Sequence, residues 1–241
     1  QRGSPEHGVP ALSFAIPFAF QKITPVYEIP FGAIERSLRE REEVPALQWA
    51  QLNGQIGKVK AGCLVLNDCK YGHSLEGNLF RISLLRGSYQ PDPWPDIGRH
   101  EVQLALLPFT GRWTPEKAIR EGQRINHPLR FTGTGLQEGP FDPVGRFLRI
   151  ETGSVIVFGL KKAEEDDRII FHLFNASDRP APIRLVTDEH SPLGRPIKAE
   201  LTDLMERPVS FPSPRIEGRA VRVTLPPRGL AALAVAFSPP S

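Results

Sequence analysis

The chain is poor in the features that mark several large protein classes. It holds two cysteines, Cys63 and Cys69, in 241 residues. Six residues apart on an extended segment, they would lie roughly 20 Å from one another, well beyond the roughly 7 Å that a disulfide can bridge. Both are therefore read as free thiols, which suits a reducing, cytoplasmic compartment, and two cysteines alone cannot complete a zinc site. No apolar run reaches the roughly 18–20 residues that cross a bilayer, so no membrane-spanning helix is expected. Nor does a charged segment followed by an apolar one come after Gln1, so no signal peptide is visible. A chain starting with Gln is expected to be processed or part of something longer. Charge of one sign is also unclustered. The 22 arginines and 8 lysines are scattered among 27 acids, for a net charge of +3. Arg36, Arg39 and Arg41 come nearest to a basic patch, but they alternate with glutamates. Nucleic-acid faces need clustered cations, so no nucleic-acid partner is expected.

Catalytic constellations are scarce as well. A retaining glycosidase needs two carboxylates about 5–5.5 Å apart. Asp92 with Asp96, and Asp166 with Asp167, share loops, but both pairs stand in turn-forming contexts where Asp is expected anyway. Asp188-Glu189-His190 and His100-Glu101 offer partial metal-ligand sets without a second half. Ser154 and Ser177 lack the strand–elbow–helix setting of a serine nucleophile. No Gly-rich phosphate loop precedes a helix. Asn175-Ala176-Ser177 matches a glycosylation sequon, a triplet common by chance.

What the chain does have is punctuation and alternation. Its 25 prolines and 21 glycines separate short runs with period two. Phe80, Ile82 and Leu84 alternate with Arg81 and Ser83. Val102, Leu104 and Leu106 alternate with Gln103 and Ala105. Val221, Val223 and Leu225 alternate with Arg222 and Thr224, and Leu233, Val235 and Phe237 with alanines. Many short alternating strands between turns predict an all-β sandwich or barrel. The run Ile169–Phe174 is apolar at nearly every position and predicts a strand covered on both faces. One helix is expected, with Thr114 as cap, Pro115 at its first position and Glu116 in its first turn, ending near Arg124 before Pro128. The Gly/Pro-rich stretch 138–152 suggests a boundary, giving modules 1–150 and 151–241, the second with six or seven strands.

Several words in the first module resemble the C-terminal region of glycoside hydrolase family 38, the α-mannosidases. They are VYEIPFGAIER (26–36), LQWAQL (47–52), LVLNDCKYGHSLEGNLFRISLLRG (64–87), PDPWPDIGRHEVQLALLPF (91–109) and INHPL (125–129). They follow the family's order and spacing, and most resemble its cytosolic and bacterial branch. LTDLMERPV (201–209) and the closing VRVTLPPRGLAALAVAF are similar to the family's terminal sandwich. The resemblance implies part of a large β supersandwich of the galactose-mutarotase type, followed by a small terminal β-sandwich. It implies that the intact enzyme hydrolyses terminal α-linked mannose in oligosaccharides with retention. The nucleophile, the acid/base residue and the zinc or other divalent metal then belong to an N-terminal catalytic domain outside this chain, and no cofactor is expected within it. Such a module would wall the active site of its own catalytic domain. Two rival readings are a stand-alone carbohydrate-binding module and a structural module, and strand edges lacking partners would favour a homo-oligomer.

The loop 91–100 and the strand end at 67–71 are the candidate substrate-lining segments. Trp94, framed by prolines, either offers an aromatic face to a sugar ring or packs beneath its own loop. The family sends an arginine from this region toward the substrate, and Arg99 is the nearest candidate, beside Asp96 and His100. Asp68 and Tyr71, with Asn67 and Lys70, form either a turn network or a second contact with the catalytic domain.

Overall fold

The computed structural model describes residues 4, 6, 8–36, 42–92, 96–136, 138, 144–189, 191–209 and 213–238. The chain divides into two compact units, Gln1–Leu129 and Arg130–Ser241, and the Gly/Pro-rich stretch 138–152 falls within the second. Strand accounts for 51% of the described residues and helix for 6%, so the fold is all-β with sandwich sheets.

The first unit is built from nine strands and one helix: β1 (Ala11–Pro17), β2 (Gln21–Ile29), β3 (Gly32–Glu35), β4 (Val44–Pro45), β5 (Trp49–Ile56), β6 (Val59–Asn67), β7 (Gly72–Glu76), β8 (Leu79–Arg86), β9 (Leu104–Thr110) and α1 (Pro115–Asn126). The strands form two sheets, ordered β1-β8-β7-β4 and β3-β2-β5-β6-β9. Alternation decides which side chains meet between them. Leu75, Phe80 and Ile82 from the four-stranded sheet pack with Tyr27, Ala50, Leu52 and Val65 from the five-stranded one, all essentially out of water. Each fully buried large apolar side chain contributes about 1.5–3 kcal/mol. His73 of β7 is sealed in the same layer. Its Nδ1 lies 3.0 Å from the Tyr71 carbonyl oxygen, its ring packs on Phe80, and its Nε2 has no partner. Burial pushes its pKa down to about 4, so the ring is neutral at pH 7.

Helix α1 covers the other face of the five-stranded sheet. Its buried residues are Ala118, Ile119 and Gly122. A Cβ on Gly122 would stand 3.1 Å from Trp49 Cδ1, so the missing side chain lets the helix sit close on the indole. Thr114 holds the extended N-cap conformation, but its side chain makes no capping bond. Gln51 reaches from β5 to donate to the Trp113 carbonyl at 3.2 Å and ties the helix entry to the sheet.

The second unit contains β10 (Arg149–Thr152), β11 (Val155–Lys162), β12 (Ile169–Asn175), β13 (Ala181–Val186), β14 (Pro196–Thr202), β15 (Arg215–Glu217), β16 (Ala220–Leu225) and β17 (Leu230–Phe237). Two four-stranded antiparallel sheets, β10-β13-β16-β15 and β11-β12-β17-β14, form a sandwich. Its core joins Phe171, Leu173, Leu233 and Val235 of one sheet to Ile183, Leu185, Val221, Val223 and Leu225 of the other. Strand β12 is covered on both faces, with Ile170 as buried as Phe171. Asn175 ends it, fully buried. Its Nδ2 donates to the carbonyls of Arg179 (2.7 Å) and Pro226 (2.9 Å), and its Oδ1 accepts from Ser154 Oγ (2.9 Å) and Ser177 N (3.1 Å). The sequon nitrogen is thus engaged inside the fold, where a glycan cannot be attached.

Candidate functional site at one end of the five-stranded sheet

Four segments distant in sequence are hydrogen-bonded to one another where β6 ends. The main-chain N–H of Asn67 donates to the Gln48 carbonyl at 2.9 Å. Its side-chain nitrogen donates to the Leu47 carbonyl at 3.1 Å. Its Oδ1 accepts the Lys70 N–H at 2.7 Å and shapes the turn that follows. Its main-chain oxygen accepts from Asn126 Nδ2, at the end of α1, at 3.2 Å. Gln48 in turn donates its N–H to the Glu28 carboxylate at 2.6 Å. Burial pushes Glu28 up to about 7, against the pull of that N–H. Asn suits the hub because its amide both donates and accepts.

Register sets the long loop beside this hub. The last β6–β9 pair is Asn67 with Leu104, so the turn bearing Asp68 and Tyr71 leaves β6 where the loop from β8 enters β9. Asp68 is exposed, and so is the Tyr71 ring. A hydrogen bond to Asp68 is the main influence holding the exposed Cys69 thiol above its ordinary pKa. In the loop, Asp96 adopts a left-handed φ of 54°, a conformation Asp tolerates better than most residues. Its carboxylate accepts the Arg86 N–H at 3.2 Å, and its carbonyl oxygen lies 2.9 Å from His100 Nε2. Asp96 and His100 thus hold the loop's shape. Arg99 projects outward and is paired with Glu101, the arginine side chain being 85% exposed, so its guanidinium is open to an incoming group. Trp94 lies outside the described residues. Beside the loop's start is a cavity of about 420 Å³ lined by Val9, Arg86, Ser88, Tyr89 and Gln90.

Of the polar side chains at this end of the sheet, Asp68, Tyr71 and Arg99 are exposed. Among the described residues no group of three or more His, Cys, Asp or Glu could hold a metal ion. Sequence reasoning missed Asn126 and the Glu28–Gln48 bond, although both lie within the words singled out above. It also passed over Tyr89 and Gln90, whose only signal was their place at the mouth of the Pro-rich loop.

Comparisons with known proteins address the same segments. The pattern of the Glycosyl hydrolases family 38 C-terminal domain matches residues 7–94, and that of the family 38 C-terminal beta sandwich domain matches residues 154–228. The chain belongs to family 38, as a C-terminal β region. Among relatives, alpha-mannosidase 2C1 of Homo sapiens is 29% identical over 225 residues, covering 89% of this chain and 20% of the human protein. Alpha-mannosidase G of Dictyostelium discoideum is 30% identical over 158 residues, covering 62% of this chain and 14% of its own. The chain thus spans about a fifth or less of the length of these relatives. A solved family 38 protein from Enterococcus faecalis superposes with a TM-score of 0.69 at 15% identity, over 95% of this chain and 26% of that one, a likeness of fold. The Asn67 network draws together the family words VYEIP, LQWAQL, NDCKYG and INHPL, and so gives their co-occurrence a physical reason.

Proposed function

We propose that this chain works as the C-terminal β scaffold of a cytoplasmic α-mannosidase. The intact enzyme hydrolyses terminal α-linked mannose in oligosaccharides with retention. Its catalytic carboxylates and its zinc or other divalent metal come from a catalytic domain outside this chain. The observation that carries the reading is the match of both family patterns, in order, on a chain whose relatives are named alpha-mannosidases. Within that assembly the loop between β8 and β9 partly walls the active site, with Asp68 and Tyr71 along the same rim. Asp96 and His100 fix the loop's shape, and Arg99 presents paired N–H groups to vicinal sugar hydroxyls or a carboxylate.

The test is Arg99→Ala in the full-length enzyme. A lost charged hydrogen bond of about 1.5–3 kcal/mol lowers kcat/KM by roughly one to two powers of ten. Stability should stay within about 0.5 kcal/mol, as for most exposed positions. Wild-type kinetics for this variant would remove the loop's proposed role.

A further inference from the structure

The outer face of the β10-β13-β16-β15 sheet, wholly within the second unit, carries an unusual row of charges. Register aligns Glu151, Arg184, Arg222 and Arg215 across the four strands, one residue from each. The flanking Ile183, Leu185, Val221 and Val223 point into the core, so the row faces outward. Arg184 is directly opposite Arg222, and Arg222 is directly opposite Arg215. Like charges in that relation destabilise a sheet.

The carboxylates nearby only partly offset this. Glu151 receives Arg184 at 2.8 Å and Arg149 at 3.3 Å, and Glu217 receives Arg222 at 3.0 Å. The hydrogen bond from Arg184 is the largest influence holding the Glu151 carboxyl below its ordinary range, so that acid is ionised and engaged. Four guanidinium groups thus face two carboxylates, an excess of two positive charges. Arg215 has no ion-pair partner among the described residues, and Arg184 Nε is buried without any hydrogen-bond partner. The three arginines of the row line a concavity of about 620 Å³, with Ser213 and Thr224 also in its wall. That volume is in the range of small-molecule sites.

We infer that this concavity binds a phosphate group, free or as the ester of a small molecule, between Arg184, Arg222 and Arg215. Guanidinium forks match phosphate oxygens two at a time. A phosphate carries about −1.5 to −2 at pH 7, which matches the residual charge, whereas a single carboxylate leaves half of it unanswered. The hydroxyls of Ser213 and Thr224 add neutral donors. Binding relieves the repulsion along the row, so the ligand also stabilises the second unit.

The test is isothermal titration calorimetry on the 241-residue chain at low, matched ionic strength. Four probes are compared: inorganic phosphate, a hexose 6-phosphate, galacturonate and sodium chloride. Saturable phosphate binding is expected, weakened about ten-fold or more in Arg215→Ala and in Arg222→Gln. Tighter binding of the hexose 6-phosphate than of phosphate would assign an ester, and equal affinity a free ion. Arg215 is exposed on the outermost strand, so its variant decides the matter even if Arg222→Gln misfolds. No binding beyond that of chloride, galacturonate binding as tightly as both phosphate probes, or phosphate binding unchanged in Arg215→Ala would each overturn the inference.

Discussion

Replacing Glu28 with Gln should change how the first unit's stability depends on pH. In the unfolded chain Glu28 loses its proton near its ordinary 4.5, whereas in the fold burial keeps the proton on until about 7. The folded state therefore binds the extra proton between those values. The stability contributed by Glu28 is full below pH 4.5 and is lost as pH rises through 7. His73 runs the other way. Unfolded, it takes a proton near 6.5, while folded it stays neutral down to about 4. Its contribution is present above 6.5 and is lost as pH falls through 4. At 1.36 kcal/mol per pKa unit each shift corresponds to about 3 kcal/mol. The two slopes oppose one another between pH 4.5 and 6.5, where their sum is nearly flat. Glu28→Gln deletes one of them while keeping an oxygen to accept the Gln48 N–H. The stability of the variant minus that of the wild type should climb by about 2–3 kcal/mol from pH 4.5 to 7 and level off outside that window. Subtracting the wild type cancels every other titrating group. Urea unfolding at a series of pH values measures the difference. Tryptophan fluorescence isolates the correct unit, because Trp49, Trp94 and Trp113, the chain's three tryptophans, all belong to it. A difference that stays constant from pH 4.5 to 7 refutes the reasoning.

Three further outcomes follow from the architecture. The 241-residue chain should not turn over aryl α-mannosides, with or without added zinc or cobalt; turnover abolished by a substitution within residues 1–241 would overturn this. Gly62→Ala should destabilise the first unit by about 1–3 kcal/mol. Its Cβ would lie 2.5 Å from the Leu52 carbonyl oxygen and against the Phe109 ring, which stacks on Trp113, so tryptophan-detected unfolding reads the loss directly. Asn175→Ala should cost the second unit about 2–3 kcal/mol by leaving buried carbonyls and Ser154 unpartnered, seen as an earlier transition in circular dichroism with the tryptophan transition unmoved.

The sequence disclosed most where one face of a strand meets a core. Phe80 and Ile82 in β8, and Val221, Val223 and Leu225 in β16, are buried as their alternation requires. Leu106 follows the same rule in sequence yet is 48% exposed, because β9 is the last strand of its sheet. The helix was legible from Pro115 and runs to Asn126, two residues past the expected end near Arg124. Strand β1 alternates in sequence, Leu12, Phe14 and Ile16 against Ser13 and Ala15, yet nearly all of it is exposed, because it lies at a sheet edge. Glu28 reads as an ordinary surface acid, since its burial comes from neighbours on another strand. The turn from Asn67 to Lys70 was legible, but the hub's long-range bonds to Leu47, Gln48 and Asn126 and the arginine row were not. Both depend on register between strands tens of residues apart, and a one-residue slip would dissolve either.

The loop joining β8 to β9 also has a consequence for how such a protein can change. Its two ends belong to different sheets, so it crosses the edge of the sandwich instead of closing a hairpin. No turn geometry dictates its length. Strand β8 is held in place by β1 and β7, and strand β9 by β6. Lengthening a loop anchored in this way costs only about 0.6 kcal/mol per doubling. The segment between Gly87 and Gln103 can therefore be lengthened, shortened or exchanged for that of a relative while both sheets keep their pairing. Under the role proposed for this loop, it is the position for grafting a different substrate preference onto an unaltered frame.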